Sequence, residues 1–354
     1  FNPGASSSYS GSLLRPEHST RISDNRMTSH TWMAHAQANY QVGERIQVRG
    51  ALRYSLHRTS GNYGKNIGKG EFSLLGRWRM TDGIGLEGTV DHLAQFYHTL
   101  EGLPLGWSLD MVVPSDQDFA PETANQVYGG LFGDAGGHSW SFGGYWKWMD
   151  NLLYFADGGS LFNASLGSWR TGVYTGKGRS FGLEATYGYH SNRLDTRIAY
   201  TLSKTDRLFD RLNGGEWFPA KFDRRHMLNV TGDYTLVQRE RFKMGVTTLV
   251  TLQSGCWETV PIGHYSVPSL TGEEFTVDLY SGMNNYRMPT FFRWDAGWYL
   301  EKESARAKHR LNLGVYNLTN RHNPFLITYD AETKEWKQIS LLPILPSISY
   351  RVEF

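Results

Sequence analysis

Aromatic residues crowd several long stretches of the chain that show no alternating pattern, and these residues have the clearest potential for binding. A large flat side chain can stack on an apolar or planar ligand, and a nearby amine can pair with an anionic group. Packing of loops against one another explains the same aromatic residues equally well. The candidate ligand-binding residues are Trp107, Trp169, Trp217, Lys221, Trp257 and Tyr286.

One of these stretches, from Asn213 to His226, combines a glycine pair, a proline and the run Asp223-Arg224-Arg225. A lattice of salt bridges that fixes a loop explains this composition without any ligand, and that structural interpretation is preferred. If the stretch does bind a ligand, replacing Trp217 and Lys221 with alanine is expected to weaken uptake of that ligand.

The sequence contains few of the motifs that would indicate catalysis or metal binding. The 12 histidines form no H-E-x-x-H or Cys/His pattern, and Cys256 is the single cysteine, so neither a metal cofactor nor an intrachain disulfide is predicted. Cys256 is interpreted as a small packing residue rather than a nucleophile. No G-x-S-x-G elbow occurs, although a Ser/His/Asp set stays open because the members of a triad need not be close in sequence.

Composition predicts an all-β chain. The 39 glycines and 20 tyrosines among 354 residues suit many strands and turns better than a helical bundle. The mean hydropathy of −0.47 does not exclude a membrane, because a spanning strand needs only about 10 residues with every second one facing lipid. Basic and acidic residues nearly balance, at 36 against 34, so nucleic acid is not an expected partner.

Strict alternation of apolar and polar residues predicts strands. From Phe181 to Tyr189 the odd positions are Phe, Leu, Ala and Tyr, whereas the even positions are Gly, Glu and Thr. After the turn at 190–193 the alternation resumes, which predicts a hairpin. About 13 such segments occur along the chain, well above the roughly 5 or 6 strands of an average sheet, so the sheet must curl or close.

The connections alternate between short turns and long excursions, an asymmetry typical of outer-membrane barrels. A soluble sandwich shows the same alternation with its apolar face inward, but the strand count and the loop asymmetry favour a transmembrane barrel with apolar residues outside. Trp146 and Trp148 fit the aromatic girdle of such a barrel. The long excursions are expected at about 58–69, 98–122, 150–178, 205–225, 254–289 and 320–345.

The chain ends in an alternating strand, Ser347 to Phe354. Its apolar face resembles the C-terminal signal by which outer-membrane barrels are recognised for assembly, although any edge strand can end in phenylalanine. Counting strands back from Phe354 puts the short turns in the periplasm and the long loops outside. The residues of the expected assembly signal are Ile348, Tyr350, Val352 and Phe354.

Several blocks of the sequence resemble the barrel of the TonB-dependent receptors of Bacteroidetes outer membranes. The resemblance is clearest from about residue 100 to the end of the chain. The blocks are Tyr200–Asp206, Asn213–His226, Asn285–Pro289, Val315–Pro324 and the terminal strand.

The resemblance implies an antiparallel transmembrane β-barrel of 22 strands that is filled by an N-terminal plug domain. Residues 1–354 are then the C-terminal portion of the receptor barrel, and the plug domain and first strands lie outside this sequence. The implied partners are TonB, which contacts the missing N-terminal region, the barrel assembly machinery, outer-membrane lipid and lipopolysaccharide, and a surface lipoprotein.

The leading functional hypothesis is therefore active import of a scarce solute across the outer membrane, coupled to TonB, without enzymatic activity. The runner-up is a passive porin whose lumen is an aqueous channel. An outer-membrane enzyme is a third hypothesis. Iron chelates, cobalamin, glycans and peptides all remain open as the solute.

Overall fold

The computed structural model describes residues 27–100, 111–155, 169–268, 274–330 and 335–354. Within these ranges the regular structure is antiparallel β, apart from two short 3-10 turns at Trp169–Gly172 and Asn213–Gly215. No helix in the described ranges is long and apolar enough to cross a membrane.

The described residues form 22 strands, named here in chain order. They are β1 (Ser29–Val42), β2 (Ile46–Thr59), β3 (Asn66–Arg79), β4 (Ile84–Gln95), β5 (Tyr97–Leu100), β6 (Met111–Pro114), β7 (Glu122–Ala135), β8 (His138–Phe155), β9 (Val173–His190), β10 (Leu194–Leu208), β11 (Phe218–Pro219), β12 (His226–Arg239), β13 (Phe242–Gln253), β14 (Trp257–Glu258), β15 (Gly263–Pro268), β16 (Glu274–Leu279), β17 (Tyr286–Arg287), β18 (Phe291–Glu303), β19 (Lys308–Tyr316), β20 (Asn323–Asp330), β21 (Glu335–Leu341) and β22 (Leu345–Glu353).

Thirteen of these strands pair side by side in one antiparallel sheet, in the order β1-β2-β3-β4-β7-β8-β9-β10-β12-β13-β18-β19-β22. The short strand β11 adds to β10. This main sheet confirms the predicted count of about 13 alternating segments. Within the described residues β1 and β22 each pair on one side only, so the sheet is an open arc.

Short turns and long connections alternate around the sheet, as predicted. Because consecutive strands run antiparallel, all the short turns lie at one edge and all the long connections at the other. The two-residue turn Gly136-Gly137 has φ values of 58° and 83°, the left-handed geometry that a tight hairpin requires. The short turns are 43–45, 80–83, 136–137, 191–193, 240–241 and 304–307.

Three of the six long connections are shorter than the sequence predicted, and three contain strand pairs of their own. The excursion expected at 58–69 spans only 60–65, because β2 and β3 keep pairing as far as Arg58 and Asn66. Three of the connections carry four strand pairs that no period-two pattern indicated: β5 with β6, β14 with β17, β15 with β16, and β20 with β21. The long connections are 60–65, 96–121, 156–172, 209–225, 254–290 and 317–344.

One face of the main sheet, named here the outward face, is apolar and exposed. Register pairs carry it from strand to strand, as where Leu74 pairs with Val90 and Val90 with Val127. Leu74 and Phe142 are each 51% exposed, whereas the core of a soluble sandwich would bury such side chains. This is the inverted arrangement that the sequence predicted, with apolar residues outside.

The opposite face is polar, and its side chains satisfy one another across the strands. The carboxylate of Glu71 is buried and pairs with the Arg53 guanidinium. The Tyr299 hydroxyl donates to Asp233 at 2.9 Å. Cross-strand pairs of this kind stabilise a sheet and keep charged groups away from the apolar face.

The connection that leaves β19 is locked by a buried asparagine. Asn317 has φ of 51° and donates its side-chain amide to the carbonyls of Arg321 at 3.0 Å and Leu342 at 3.2 Å. Its backbone N–H donates to Asp295 at 2.9 Å. The block Val315–Pro324, one of those that carry the family resemblance, therefore fixes the ends of β18 and β19 and the approach to β22.

Candidate ligand-binding loops

The connections 209–225 and 254–290 pack together at the long-connection edge, and this pair is named here the loop module. Phe209, Leu212 and Phe218 are buried in an apolar cluster with Leu152 of β8. The turn 213–215 also contacts the second connection, since the Met283 N–H donates to the Asn213 side chain at 3.1 Å. The module is thus a folded unit tied to β8 and β10.

A single carboxylate joins the two connections of the loop module. The Asp223 side chain is only 1% exposed. It accepts hydrogen bonds from the Thr205 backbone N–H at 2.7 Å and from the Trp257 indole N–H at 3.3 Å. The Arg225 guanidinium lies 3.8 Å away. The preferred interpretation of the 213–226 stretch as a lattice that fixes a loop therefore agrees with these contacts.

Three of the predicted binding residues come together around this carboxylate. β14 pairs with β17, which places Glu258 opposite Tyr286. The Trp257 N–H donates to the Lys221 carbonyl at 2.9 Å. The Lys221 ammonium lies 3.6 Å from the Glu258 carboxylate. Lys221 and Tyr286, which are far apart in sequence, thus both lie beside Glu258. Trp257, by contrast, lies on the other face of this short ladder with its indole bonded to Asp223.

Trp217 lies on a different side of the loop module. The Arg179 guanidinium carbon lies 4.2 Å from the centre of a Trp217 ring, and the same guanidinium is bonded to Asp206 at 3.0 Å. Trp217 is 39% exposed, so its ring is open to a ligand on the side away from Arg179. Its stacking partner, Arg179, is positioned by the pairing of β9 with β10, and no local sequence pattern indicated this contact.

The remaining two predicted residues cannot be placed at a site. Trp107 and the side chain of Trp169 lie outside the described residues. Arg170, which follows Trp169, is buried and pairs with Asp116 and with Asp118 at 3.0 Å. Its guanidinium also lies 3.8 Å from the ring of Tyr63. Arg170 therefore joins three long connections at one ion-pair cluster.

The structure adds exposed apolar residues that the sequence reasoning missed. They lie in the loop module near Lys221 in sequence and around the β15–β16 hairpin, where no alternating pattern occurs. The only signal in the sequence was the apolar character of these residues within otherwise polar loops. They are Phe222, Ile262, Tyr265 and Tyr280.

One Ser/His/acid arrangement does occur, the type of set that the sequence left open. His98 lies 3.2 Å from the Ser115 hydroxyl through Nε2 and 3.3 Å from the Glu122 carboxylate through Nδ1. Both His98 and Ser115 are 0% exposed. Because a substrate cannot reach a hydroxyl that is covered on every side, this arrangement fastens the β5–β6 hairpin to the start of β7.

The lone cysteine and the histidines form no metal site in the described ranges, where no three His, Cys, Asp or Glu residues lie close enough to hold an ion. Cys256 is half-buried beside Trp257. Burial raises the pKa of the Cys256 thiol above its ordinary value. A protonated thiol is a poor nucleophile, which agrees with the interpretation of Cys256 as a packing residue.

The expected assembly signal lies on the outward face of the last strand. Ile348 pairs with Leu313, and Tyr350 pairs with Leu311. Ile348 and Tyr350 are strongly exposed, and Phe354 is fully exposed just beyond the end of β22. Among the described residues β22 pairs only with β19, and the assembly signal stays a prediction.

Comparison with known proteins accounts for this combination of an inverted sheet and built loops. The family model described as TonB dependent receptor-like, beta-barrel matches residues 2–318. The chain belongs to this family. No curated protein sequence matches the chain.

Three solved structures of similar fold are named as receptors for ferric compounds. The ferric preacinetobactin receptor BauA of Acinetobacter baumannii is 12% identical with a TM-score of 0.61, over 93% of this chain and 43% of its own. The ferric yersiniabactin uptake receptor FyuA of Yersinia pestis is 13% identical with a TM-score of 0.62, over 93% and 46%. The ferripyoverdine receptor of Pseudomonas aeruginosa is 11% identical with a TM-score of 0.60, over 94% and 39%. The chain spans less than half the length of these three proteins.

Proposed function

We propose that this chain is the C-terminal part of the barrel of an outer-membrane receptor that imports a scarce solute by TonB-coupled active transport. The observation that carries the proposal is the continuous, exposed apolar face across thirteen strands, opposite a paired polar face. That arrangement is stable in lipid and costly in water. Membership of the TonB-dependent receptor family supports the coupling to TonB.

In this proposal the open edges at β1 and β22 are closed by strands outside this sequence, in a barrel of 22 strands that also holds a plug domain. Unpaired strand edges in a membrane leave backbone polar groups without hydrogen bonds, and closure removes them. The short turns face the periplasm and the long connections face outside. TonB acts through a region outside this sequence, the last strand engages the barrel assembly machinery, and a surface lipoprotein assists capture. The sequence blocks favour a receptor of the Bacteroidetes type.

The loop module is the proposed entry surface for the solute. Trp217 and Tyr286 are each about two-fifths exposed. Both lie on connections of the loop module, whose buried residues pack against β8 and against each other. Rigid support reduces the entropy lost when a ligand binds. Ferric chelates are the first solute class to test, since the three solved neighbours are named for ferric compounds. We propose no catalytic role for the chain.

Conductance of the intact receptor in planar bilayers tests the proposal against the passive porin. A barrel that is filled by a plug is expected to conduct little, whereas a steady, large conductance from the purified protein would favour the porin.

The binding role of the loop module is tested by uptake. The double variant Trp217→Ala/Tyr286→Ala is expected to lower uptake of the transported chelate by at least tenfold, because stacking on an aromatic ring contributes about 1 kcal/mol per ring. The matched control is Trp336→Ala, an exposed tryptophan in the β20–β21 hairpin. Unchanged uptake at normal barrel levels would leave the two aromatic residues with structural roles only.

A further inference from the structure

The outward face of β8, β9 and β10 changes from apolar to charged within one row of side chains. Register pairing defines the rows across these three strands. Tryptophans mark the boundary, where aromatic residues settle at the interface of a membrane. One row holds Trp146, Phe181 and Lys204, and the next row toward the long connections holds Trp148, Arg179 and Asp206.

Charged residues on the outward face are concentrated at this place. At the outward register positions nearest the long connections, the described strands of the main sheet hold six charged residues. One of the six, Arg58, stands alone on β2. The other five lie on three adjacent strands: Asp150, Lys177, Arg179, Lys204 and Asp206.

An open apolar groove of about 690 Å³ adjoins these charges, between β7 and β10. Gly129 and Gly144 pair at its floor, so backbone replaces side chains there. The rings of Trp146 and Phe181 stack along one wall with centroids 4.8 Å apart. The residues that line the groove include Val127, Trp146, Phe181, Leu183, Leu202 and Lys204, together with Tyr128, Tyr145, Ser203 and Arg225.

The cations beside the groove keep donors that are not used within the protein. Arg179 directs its Nε and Nη2 donors to one oxygen of Asp206, at 3.1 and 3.0 Å. Lys204 shares that carboxylate at 3.2 Å. Lys177 is exposed and forms no ion pair among the described residues. The group holds three cations and two carboxylates, since Asp150 pairs in register with Lys177, so a net charge of +1 is left to meet an anion. An ammonium or guanidinium pairs well with phosphate.

We propose that the outward face of β8, β9 and β10 binds a phosphorylated, acylated lipid of the outer leaflet, with an acyl chain in the groove and a phosphate against Lys177 and Lys204. The proposal rests on the outer-membrane location given under the proposed function. Its occupant is the lipid A part of lipopolysaccharide, rather than free phosphate. Lys204 favours a lipid over free phosphate, because it belongs both to the lining of the apolar groove and to the charged group.

Titration of the full-length receptor in detergent with diphosphorylated lipid A tests the proposal. The double variant Lys177→Ala/Lys204→Ala is expected to bind the lipid about 25-fold more weakly, since each basic residue near an anionic lipid contributes about fivefold. The variant Lys177→Arg/Lys204→Arg is expected to retain binding. Arg58→Ala is the matched control, because it removes an outward-facing cation from the same edge of the sheet.

Three results would overturn the proposal: unchanged affinity in the double alanine variant, an equal loss in Arg58→Ala, or displacement of the lipid by millimolar inorganic phosphate. Heat-modifiable migration in gel electrophoresis shows whether each variant forms a folded barrel. Wild-type receptor that binds lipid A yet shows no TonB-dependent uptake would refute the proposed transport and leave the lipid site standing. TonB-dependent uptake by a receptor that does not bind lipid A would refute the lipid site and leave the proposed transport standing.

Discussion

Removing the Asp223 carboxylate is predicted to loosen the loop module while leaving the barrel intact. In Asp223→Ala the Thr205 N–H and the Trp257 indole N–H lose their acceptor. An unsatisfied buried donor costs about 1 to 3 kcal/mol, so the two together cost about 3 kcal/mol. Arg225 adds nothing to this sum, because it lies 3.8 Å away and is partly exposed.

Hydrogen exchange measures this loss directly. If the module opens as a unit, about 3 kcal/mol corresponds to a roughly 100-fold rise in the exchange rate of its protected amides. The most informative amide is that of Trp257, which donates to the Lys221 carbonyl in the closed module. The peptides of the main-sheet strands β12 and β13 are expected to exchange at unchanged rates.

Two further variants make the measurement specific. Asp223→Asn keeps one side-chain oxygen as an acceptor, so its exchange rates are expected to lie between those of wild type and Asp223→Ala. Asp210→Ala removes an exposed carboxylate from the same connection and is expected to change nothing. Wild-type exchange rates in Asp223→Ala, or an equal acceleration in Asp210→Ala, would refute the argument that this carboxylate joins the two connections.

Three other predictions follow from single residues. Asn317→Ala leaves the Leu342 carbonyl without the donor, and the Arg321 N–H without the acceptor, that the Asn317 side chain supplies, and should lower the free energy of unfolding by about 2 to 4 kcal/mol in urea titration; an unchanged midpoint would contradict the structural role of this side chain. Because burial raises the pKa of the Cys256 thiol, the thiolate fraction at pH 8 falls, so iodoacetamide should react more slowly than with the urea-unfolded chain, and the difference should shrink as the pH rises; equal rates at pH 8 would count against it. Deleting Phe354 should reduce the amount of assembled barrel in the outer membrane without changing synthesis, and normal assembly would exclude an assembly signal at this residue.

The strands of the main sheet could be predicted because their side chains alternate with a period of two, which the sequence displays directly. The segment Phe181 to Tyr189 is an example, since its apolar residues all lie on the outward face of β9. The alternation of short and long connections followed from the spacing of those segments. The resemblance blocks indicated the TonB-dependent receptor family, which the comparison confirmed, while the Bacteroidetes type stays a prediction.

The interior of the long connections could not be predicted in the same way. Strands as short as β14 and β17 contain two residues each, too few for any period to appear. The contact of Trp257 with Asp223 joins residues 34 positions apart, and it depends on how two connections pack. The charged group beside Lys204 is likewise a product of register, since its members are separated along the chain and meet only across three strands.

Uptake with and without TonB tests the central claim most directly. Cells that produce the full-length receptor would be given radiolabelled ferric chelates, cobalamin, oligosaccharides and peptides in turn, and accumulation would be compared in strains with and without TonB. Coupled import predicts that at least one solute accumulates above its external concentration only when TonB is present. A solute that enters equally in both strains, and only until its concentrations equalise, would contradict the account and indicate a passive pore.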